Sequence, residues 1–130
     1  MRSCSVAPAA LVGAVLGVPT TGPQQFDLGR GVIQCLYSSQ IDKPAVLRFY
    51  NNVDAASFAT LEVAASGHGQ AVTNIRFKDQ AFTSTSTGRG LTLTVLYRRK
   101  GSLVILVVSS ASLGAEETLE TQIFATLSHH

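Results

Sequence analysis

The sequence predicts an α+β fold, in which a mostly antiparallel five-stranded sheet carries a C-terminal amphipathic helix and one middle helix. In the segment Leu91–Tyr97, apolar residues alternate with threonine, which is typical of a strand with one buried face. Residues 103–108 read LVILVV, which predicts a strand covered on both faces. Near the C-terminus, Leu119, Ile123 and Leu127 recur every four residues, which predicts the terminal helix.

The other strands come from shorter patterns. Gly31–Ser38 and Ala45–Tyr50 are rich in β-branched and aromatic residues, and a turn separates them. Ala71–Phe77, which can extend to Phe82, is the next strand along the chain. The short link Arg98–Ser102 contains a glycine, so we expect an antiparallel hairpin between the last two strands.

The segment Val53–Ser66 decides between two architectures. Its length and alanine content predict a helix that Asn52 caps and Gly67 ends. Leu61 and Val63 alternate with polar neighbours, which indicates a strand and would make the protein an all-β sandwich. We predict the helix because the segment is longer than a usual strand.

Residues 1–30 are predicted to be an N-terminal segment that precedes a domain over residues 31–130. Ala9–Val18 is predicted to form a strand or a short helix. Pro19–Arg30 contains two prolines and two glycines, which predicts a loop. Arg2 and the apolar run after it are also compatible with a secretory signal over residues 1–20.

The composition favours a protein partner over a nucleic acid. Only 14% of the residues are charged, against roughly a quarter in an average soluble domain. We therefore expect other subunits, or a second copy, to cover part of the surface. A net charge of +2 is too small for a nucleic-acid-binding domain. Cys4 and Cys35 match no zinc or redox motif, so we expect a reduced, buried or incidental thiol at Cys35 and a cytoplasmic location.

Two groups of residues are predicted to contact a partner. Leu119, Ile123 and Phe124 form one face of the terminal helix, although the same pattern is typical of plain core packing. Arg98, Arg99 and Lys100 are consecutive cations next to a turn. They are predicted either to steer association from the rim of an interface or only to keep a hairpin tip hydrated.

Catalytic, cofactor and metal sites are not predicted. The run FTSTST over residues 82–87, followed by glutamates, resembles the serine-threonine-serine strand and paired glutamates of ADP-ribosyltransferases. That resemblance implies a transferase that uses Ser84, Ser86 and Glu117. The spacing of the glutamates differs from the pattern of that family. His68 lies between glycines and has no acidic or nucleophilic neighbour in sequence, so it nominates no triad.

The segment Leu91–Leu127 is similar to part of the Roadblock/longin group of small α/β domains. It contains a strand that ends in Tyr-Arg-Arg, a very apolar strand, a small polar loop and an amphipathic helix. Profilins share the length and this C-terminal order. The resemblance implies a non-catalytic protein-binding domain.

We therefore predict a non-catalytic scaffold or adaptor subunit of a larger complex, in small-GTPase regulation or vesicle traffic. Its partners are predicted to be other protein subunits or a second copy, with no nucleic acid and with membrane contact only through partners. A secreted or periplasmic β-rich binding module is the alternative. A proteasome-assembly chaperone and the transferase are weaker alternatives.

Overall fold

The computed structural model describes residues 4–17, 20–38, 45–54, 56–61, 72–76, 80–88 and 91–128, and they form one sheet with helices on both faces. A 3-10 turn, Cys4–Val6, precedes the first helix. The helices are α1 (Ala9–Leu16), α2 (56–61) and α3 (Leu113–Ser128). The strands are β1 (Thr21–Gly29), β2 (Val32–Ser38), β3 (Ala45–Tyr50), β4 (Val72–Arg76), β5 (Gln80–Gly88), β6 (Leu91–Lys100) and β7 (Leu103–Ser109).

The sheet has seven strands in the order β1-β2-β3-β7-β6-β5-β4, and every neighbouring pair is antiparallel. The first three strands and the last four each form a meander, and the two meanders meet where β3 pairs with β7. The predicted α+β class, antiparallel sheet and C-terminal helix are confirmed. The predicted number of five strands is too small.

One face of the sheet carries α1 and α3, and we call it the α1/α3 face. Cys35, Leu47 and Ile105 point from the strands into this core. Val12 of α1 and Leu119 of α3 close it from above. All five side chains are almost completely buried, so the N-terminal helix belongs to the same core as the C-terminal one.

The opposite face carries α2, and we call it the α2 face. Phe58 of α2 packs against Phe82 of β5, with 5.2 Å between ring centroids. Phe82 also stacks on Tyr97 of β6 at 4.4 Å. Val104 of β7 completes this smaller cluster. Because successive residues of β7 reach both clusters, the uninterrupted apolar run is covered on both sides, as predicted.

The predicted loop over Pro19–Arg30 is wrong for residues 21–29, which form edge strand β1. β1 pairs with β2 through register shifts near both of its ends. Its residues are almost all exposed, so no alternation of apolar and polar residues marks the strand in the sequence. Gly29, Arg30 and Gly31 all have positive φ at the β1–β2 turn, a conformation that glycine adopts without steric cost.

Two predictions in the second meander also need correction: the extension of the Ala71–Phe77 strand to Phe82, and the link between the last two strands at Arg98–Ser102. A separate strand, β5, includes the Ser/Thr run and pairs along its whole length with β6. β6 continues to Lys100, so the three cations belong to the strand and the turn is left to Gly101 and Ser102. The extra strand was missed because serine and threonine are as common in loops as in solvated strands.

The middle helix is confirmed where it is described, at residues 56–61, and no strand replaces it there. The remainder of the predicted helix, residues 62–66, and the predicted end at Gly67 lie outside the described residues. The predicted cap is wrong. Asp54 caps the helix, since its carboxylate accepts a hydrogen bond of 2.7 Å from the backbone N–H of Ser57. Asn52 instead adopts a positive φ of 63°.

Cys4 and Cys35 form a disulfide, which corrects the expectation of a reduced thiol at Cys35. Their Cα atoms are 5.7 Å apart although the residues are separated by 31 positions in sequence. Sequence spacing could not show this pairing, because only the packing of the N-terminal turn on β2 brings the two residues together. The inference of a cytoplasmic location loses the observation on which it was based.

Candidate interaction surface

The predicted helix-face residues lie in the core. Leu119 and Ile123 are completely buried and Phe124 is 5% exposed. They pack on the α1/α3 face of the sheet. Core packing, the alternative considered from the sequence, is therefore the role that this fold gives them. A contact between these three residues and a partner stays a prediction.

The three predicted cations do not form one cluster. Arg98 lies opposite Ile105 on the α1/α3 face, donates a 2.8 Å hydrogen bond to Thr121 and lies over the ring of Phe124. Arg99 is on the α2 face and bonds the carbonyl of Gly101. Because side chains alternate along a strand, neighbouring cations point to opposite sides of the sheet. Their predicted role as a rim is untested.

The α2 face is only partly covered by the described elements. α2 lies over β5 and β6. The side chains that β1, β2 and β3 present on this face are half-buried or exposed. Cross-strand register places one continuous set of residues there, and we call it the open face. It consists of Gln24, Phe26, Val32, Gln34, Leu36, Val46, Arg48, Tyr50 and Val108.

Arg48 lies at the centre of the open face. Its Nε and Nη2 donate to the side-chain carbonyl of Gln34, the former at 3.1 Å. Its Nη1 donates to the hydroxyl of Tyr50 at 3.0 Å. Burial raises the pKa of Tyr97 on the same face, and the positive charge of Arg48 opposes that rise. Arg48 is thus held in one orientation by two neutral side chains, and its positive charge influences Tyr97 on the same face.

The edge strand β1 borders the open face. Phe26, 38% exposed, and Leu28, 50% exposed, are the large hydrophobic residues that the described part of the chain leaves exposed. Phe26 is in register with Gln34, and Leu28 lies in the irregular stretch between Asp27 and Gly29. Among the described strands, only β2 pairs with β1, so the main-chain groups on the other side of β1 face outward.

Two buried carboxyl groups on α3 were missed as a feature of the core. From the sequence, Glu116 and Glu117 are expected in the first turn of the helix, where their negative charge interacts favourably with the positive end of the helix dipole. Glu116 and Glu120 are in fact completely buried on the α1/α3 face. The hydroxyl of Ser109 donates to Glu116 Oε2, while neither carboxyl oxygen of Glu120 has a hydrogen-bond partner.

Both acids are shifted toward the protonated form. Burial raises the pKa of Glu116 to about 9, although Ser109 lowers it in part. Burial also raises the pKa of Glu120 well above its ordinary value, with a further contribution from Glu116. A signal was present in the sequence, because Glu116 and Glu120 are spaced by four residues like Leu119 and Ile123 and follow the apolar stripe.

The residues of the transferase alternative do not come together. Ser84 lies opposite Val95, on the α2 face, while Glu117 belongs to α3 on the other face. The side chain of Ser86 and the whole of His68 lie outside the described residues. No group of three or more potential metal ligands occurs in the described part of the chain.

A shallow pocket of about 450 Å³ lies where the β1–β2 turn meets the end of β3. Its lining residues are Asp27, Gly29, Arg30, Gly31, Ile33, Asn51 and Asn52. Asn51 closes the turn, since its backbone N–H and its side-chain amide both donate to the carbonyl of Gly31, at 3.0 and 2.7 Å. The lining can hydrogen-bond a polar group, but it offers no hydroxyl, thiol or imidazole as a nucleophile.

Comparisons with models of protein families, with curated proteins and with solved structures give no match to this chain. Among the described helices, none combines the length and the apolar character needed to cross a membrane. The open face and the β1 edge are therefore the features from which a function is argued.

Proposed function

We propose that this protein is a non-catalytic protein-binding module that works as an adaptor or scaffold subunit of a larger complex. The observation that carries the proposal is the open face, where half-exposed apolar side chains surround a fixed arginine. Contiguous apolar surface on a folded protein usually marks an interaction site.

The composition of the open face fits a protein interface. Leu36, Val46 and Val108 lie side by side on three neighbouring strands and provide an apolar patch. Phe26 and Arg48 belong to residue types that are enriched in interfaces, and arginine is also enriched in their energetic centres. In the neighbouring row, Leu106 is in register with Arg48 and is buried, at 4% exposed. The apolar patch is therefore continuous with a buried side chain of the same face.

The β1 edge supports a second element of the same proposal, in which an extended segment of the partner adds a strand to the sheet. Main-chain pairing gives affinity in such complexes, and pockets for alternate side chains give specificity. Pro23 and the register shifts at both ends of β1 limit regular pairing to residues 24–27. Phe26 lies within that stretch and would contact the added strand.

Membership of the Roadblock/longin group, with a role in small-GTPase regulation or vesicle traffic, is the finer form of this proposal. Its support is the order of elements, which runs helix, three strands, helix, four strands, helix. The resemblance depends on the series helix or strand, two strands, helix, three strands, helix, and this chain has the same alternation with one additional strand in each meander. The chaperone alternative predicts protein binding as well.

A second candidate places the same binding role in an oxidising compartment, outside the cell or in a periplasm. The Cys4–Cys35 disulfide favours it, because structural disulfides persist in such compartments and are rare in the cytosol. The thiol state of the protein isolated from its natural source under alkylating conditions tests this placement. Two alkylated cysteines would contradict it and favour the cytoplasm.

The proposed function is tested by comparing Phe26→Asp with a matched control, Gln122→Asp. Both positions are exposed, but Gln122 lies on α3 on the far side of the sheet. Sedimentation velocity at micromolar concentration reports self-association, and affinity capture followed by binding of the purified candidate reports other partners. We expect Phe26→Asp to abolish the interaction and Gln122→Asp to preserve it. A protein that stays monomeric and shows no capture sensitive to Phe26→Asp would contradict the proposal.

A further inference from the structure

We propose that Arg48 is the anchor of the open face and that it binds an acidic side chain, Asp or Glu, of a partner protein. This inference rests on the proposed function, since it names the chemistry of the partner at that surface. Three observations carry it: the orientation of the guanidinium, the lack of a pairing carboxylate among the described residues, and its apolar surroundings.

The guanidinium of Arg48 is pre-oriented for an anion. Gln34 and Tyr50 accept hydrogen bonds from all three of its nitrogens. An arginine has five N–H donors, so one N–H remains on each terminal nitrogen. Two parallel donors match the two oxygens of a carboxylate. Since Gln34 and Tyr50 already fix the side chain, a partner does not bear the whole entropic cost of ordering it.

No described carboxylate neutralises this charge. Asp27 is in register with Ile33, on the opposite face of the sheet. Asp54 is exposed beyond the end of β3, where hydrogen bonds from the backbone and side chain of Ser57 lower its pKa and the charge of Arg99 adds to that effect. Glu117 lies on α3, on the α1/α3 face, together with the two buried glutamates. Among the acidic side chains that the structure describes, none is paired with Arg48.

The surroundings select a carboxylate on a protein over a polyanion. Leu36, Val46 and Val108 form an apolar row next to the row that contains Arg48. When a partner covers this row and excludes water, the charge-assisted hydrogen bond between Arg48 and a carboxylate beside the row becomes stronger. A nucleic acid would instead require a dense set of cations along one face. The partner we infer presents one acidic residue with apolar residues on either side of it.

Two blocked peptides test the inference: acetyl-Val-Thr-Val-Glu-Val-Thr-Val-amide and its Gln counterpart. Each is titrated into the isotope-labelled full chain, and NMR follows the Arg48 Nε–Hε signal together with the methyl signals of Val46 and Leu36. We expect the Glu peptide to shift both sets of signals and to bind about tenfold more tightly than the Gln peptide, as one charge-assisted bond predicts. Added salt should weaken binding of the Glu peptide more than that of the Gln peptide.

The variants Arg48→Lys and Arg48→Gln complete the test. Lysine keeps the charge without the planar fork, so we expect an intermediate affinity for the Glu peptide, and glutamine should remove the preference for Glu over Gln. Thermal unfolding of each variant shows whether it folds, and the comparison of the two peptides on the unmodified chain needs no variant. Equal binding of both peptides at the open face would overturn the role of Arg48 and leave the proposed function standing. Failure of both peptides to shift the open-face signals would count against both proposals.

Discussion

A few single residues tie the N-terminal segment to the sheet. Cys4 is joined to Cys35 of β2, and its backbone N–H donates to the side chain of Gln25 at 3.0 Å. The hydroxyl of Tyr37, also on β2, donates to the carbonyl of Ala7. All of these contacts act before α1 begins, so they determine how that helix approaches the core.

Loss of the disulfide should lower the free energy of unfolding by about 3–4 kcal/mol, as loop closure between residues 31 positions apart predicts. The measurement is urea unfolding of the oxidised and reduced protein. The double variant Cys4→Ala/Cys35→Ala is the control, because reductant should not change its stability. An oxidised protein no more stable than the reduced one would refute the expectation.

Tyr37→Phe should lower the free energy of unfolding by about 1–3 kcal/mol, because it leaves the buried carbonyl of Ala7 without a donor. Burial raises the pKa of Tyr37, so its hydroxyl stays protonated and able to donate. Tyr50→Phe is the matched control: Tyr50 is half-buried, and water can replace its hydroxyl as an acceptor for Arg48. Equal losses in the two variants would argue against the special role of Tyr37.

At the scale of elements, α3 is unusual because it packs two carboxylic acids among its apolar residues. Glu116 and Glu120 lie on its buried side, where Arg98 of β6 is the nearby cation that favours the charged form of Glu120. Burial outweighs that cation. The helix therefore packs best when both acids are protonated, which makes its attachment dependent on pH.

Stability should decrease as pH rises from about 4.5 toward 9. The unfolded chain releases the proton of Glu116 near 4.5, whereas the folded chain keeps it to about 9. Over that interval the folded state binds more protons, so the free energy of unfolding falls by about 1.4 kcal/mol per pH unit for each such group. The contribution is complete below pH 4.5 and is lost as pH rises through 9. Urea unfolding at several pH values measures this slope.

Glu116→Gln should flatten that dependence, because an amide has the shape of the protonated acid and does not titrate. Glu117→Gln is the matched control on the half-exposed neighbour and should keep the slope. Proteins with equal slopes before and after Glu116→Gln would show that the buried acid does not control the pH dependence.

The sequence revealed the elements that bury a regular pattern and missed those that do not. β7 and α3 were predicted closely because the uninterrupted apolar run of β7 and the four-residue apolar repeat of α3 both reflect burial. β1 has no buried side chains, so its sequence shows no burial pattern, and its proline and glycines are typical of a loop. The open face was also beyond the sequence, since Phe26 and Arg48 become neighbours of one surface only through the pairing of β1 with β2 and of β2 with β3.

For the whole molecule, the buried acids change the net charge. The formal value of +2 counts ten cations against eight carboxylates. With Glu116 protonated, seven carboxylates remain and the charge at pH 7 becomes +3, and the raised pKa of Glu120 acts in the same direction. A more cationic surface favours association with acidic partners.

Potentiometric titration of the folded and the urea-unfolded protein measures this difference. The folded protein should retain more protons per chain near pH 7 than the unfolded one, and about one of them belongs to Glu116. In Glu116→Gln/Glu120→Gln the difference should disappear. Identical titration curves for the folded and unfolded wild-type protein would contradict the assignment.

The pairing of β3 with β7 has a consequence for how the chain folds. Each meander joins strands that follow one another in sequence, whereas this junction pairs Val46 with Val108. Contacts between distant parts of a chain form slowly, because a long loop must close first. A folding intermediate in which the two meanders have formed but not yet paired would expose the unpaired apolar edges of β3 and β7. Those two edges are where we expect intermolecular strand pairing and aggregation to begin.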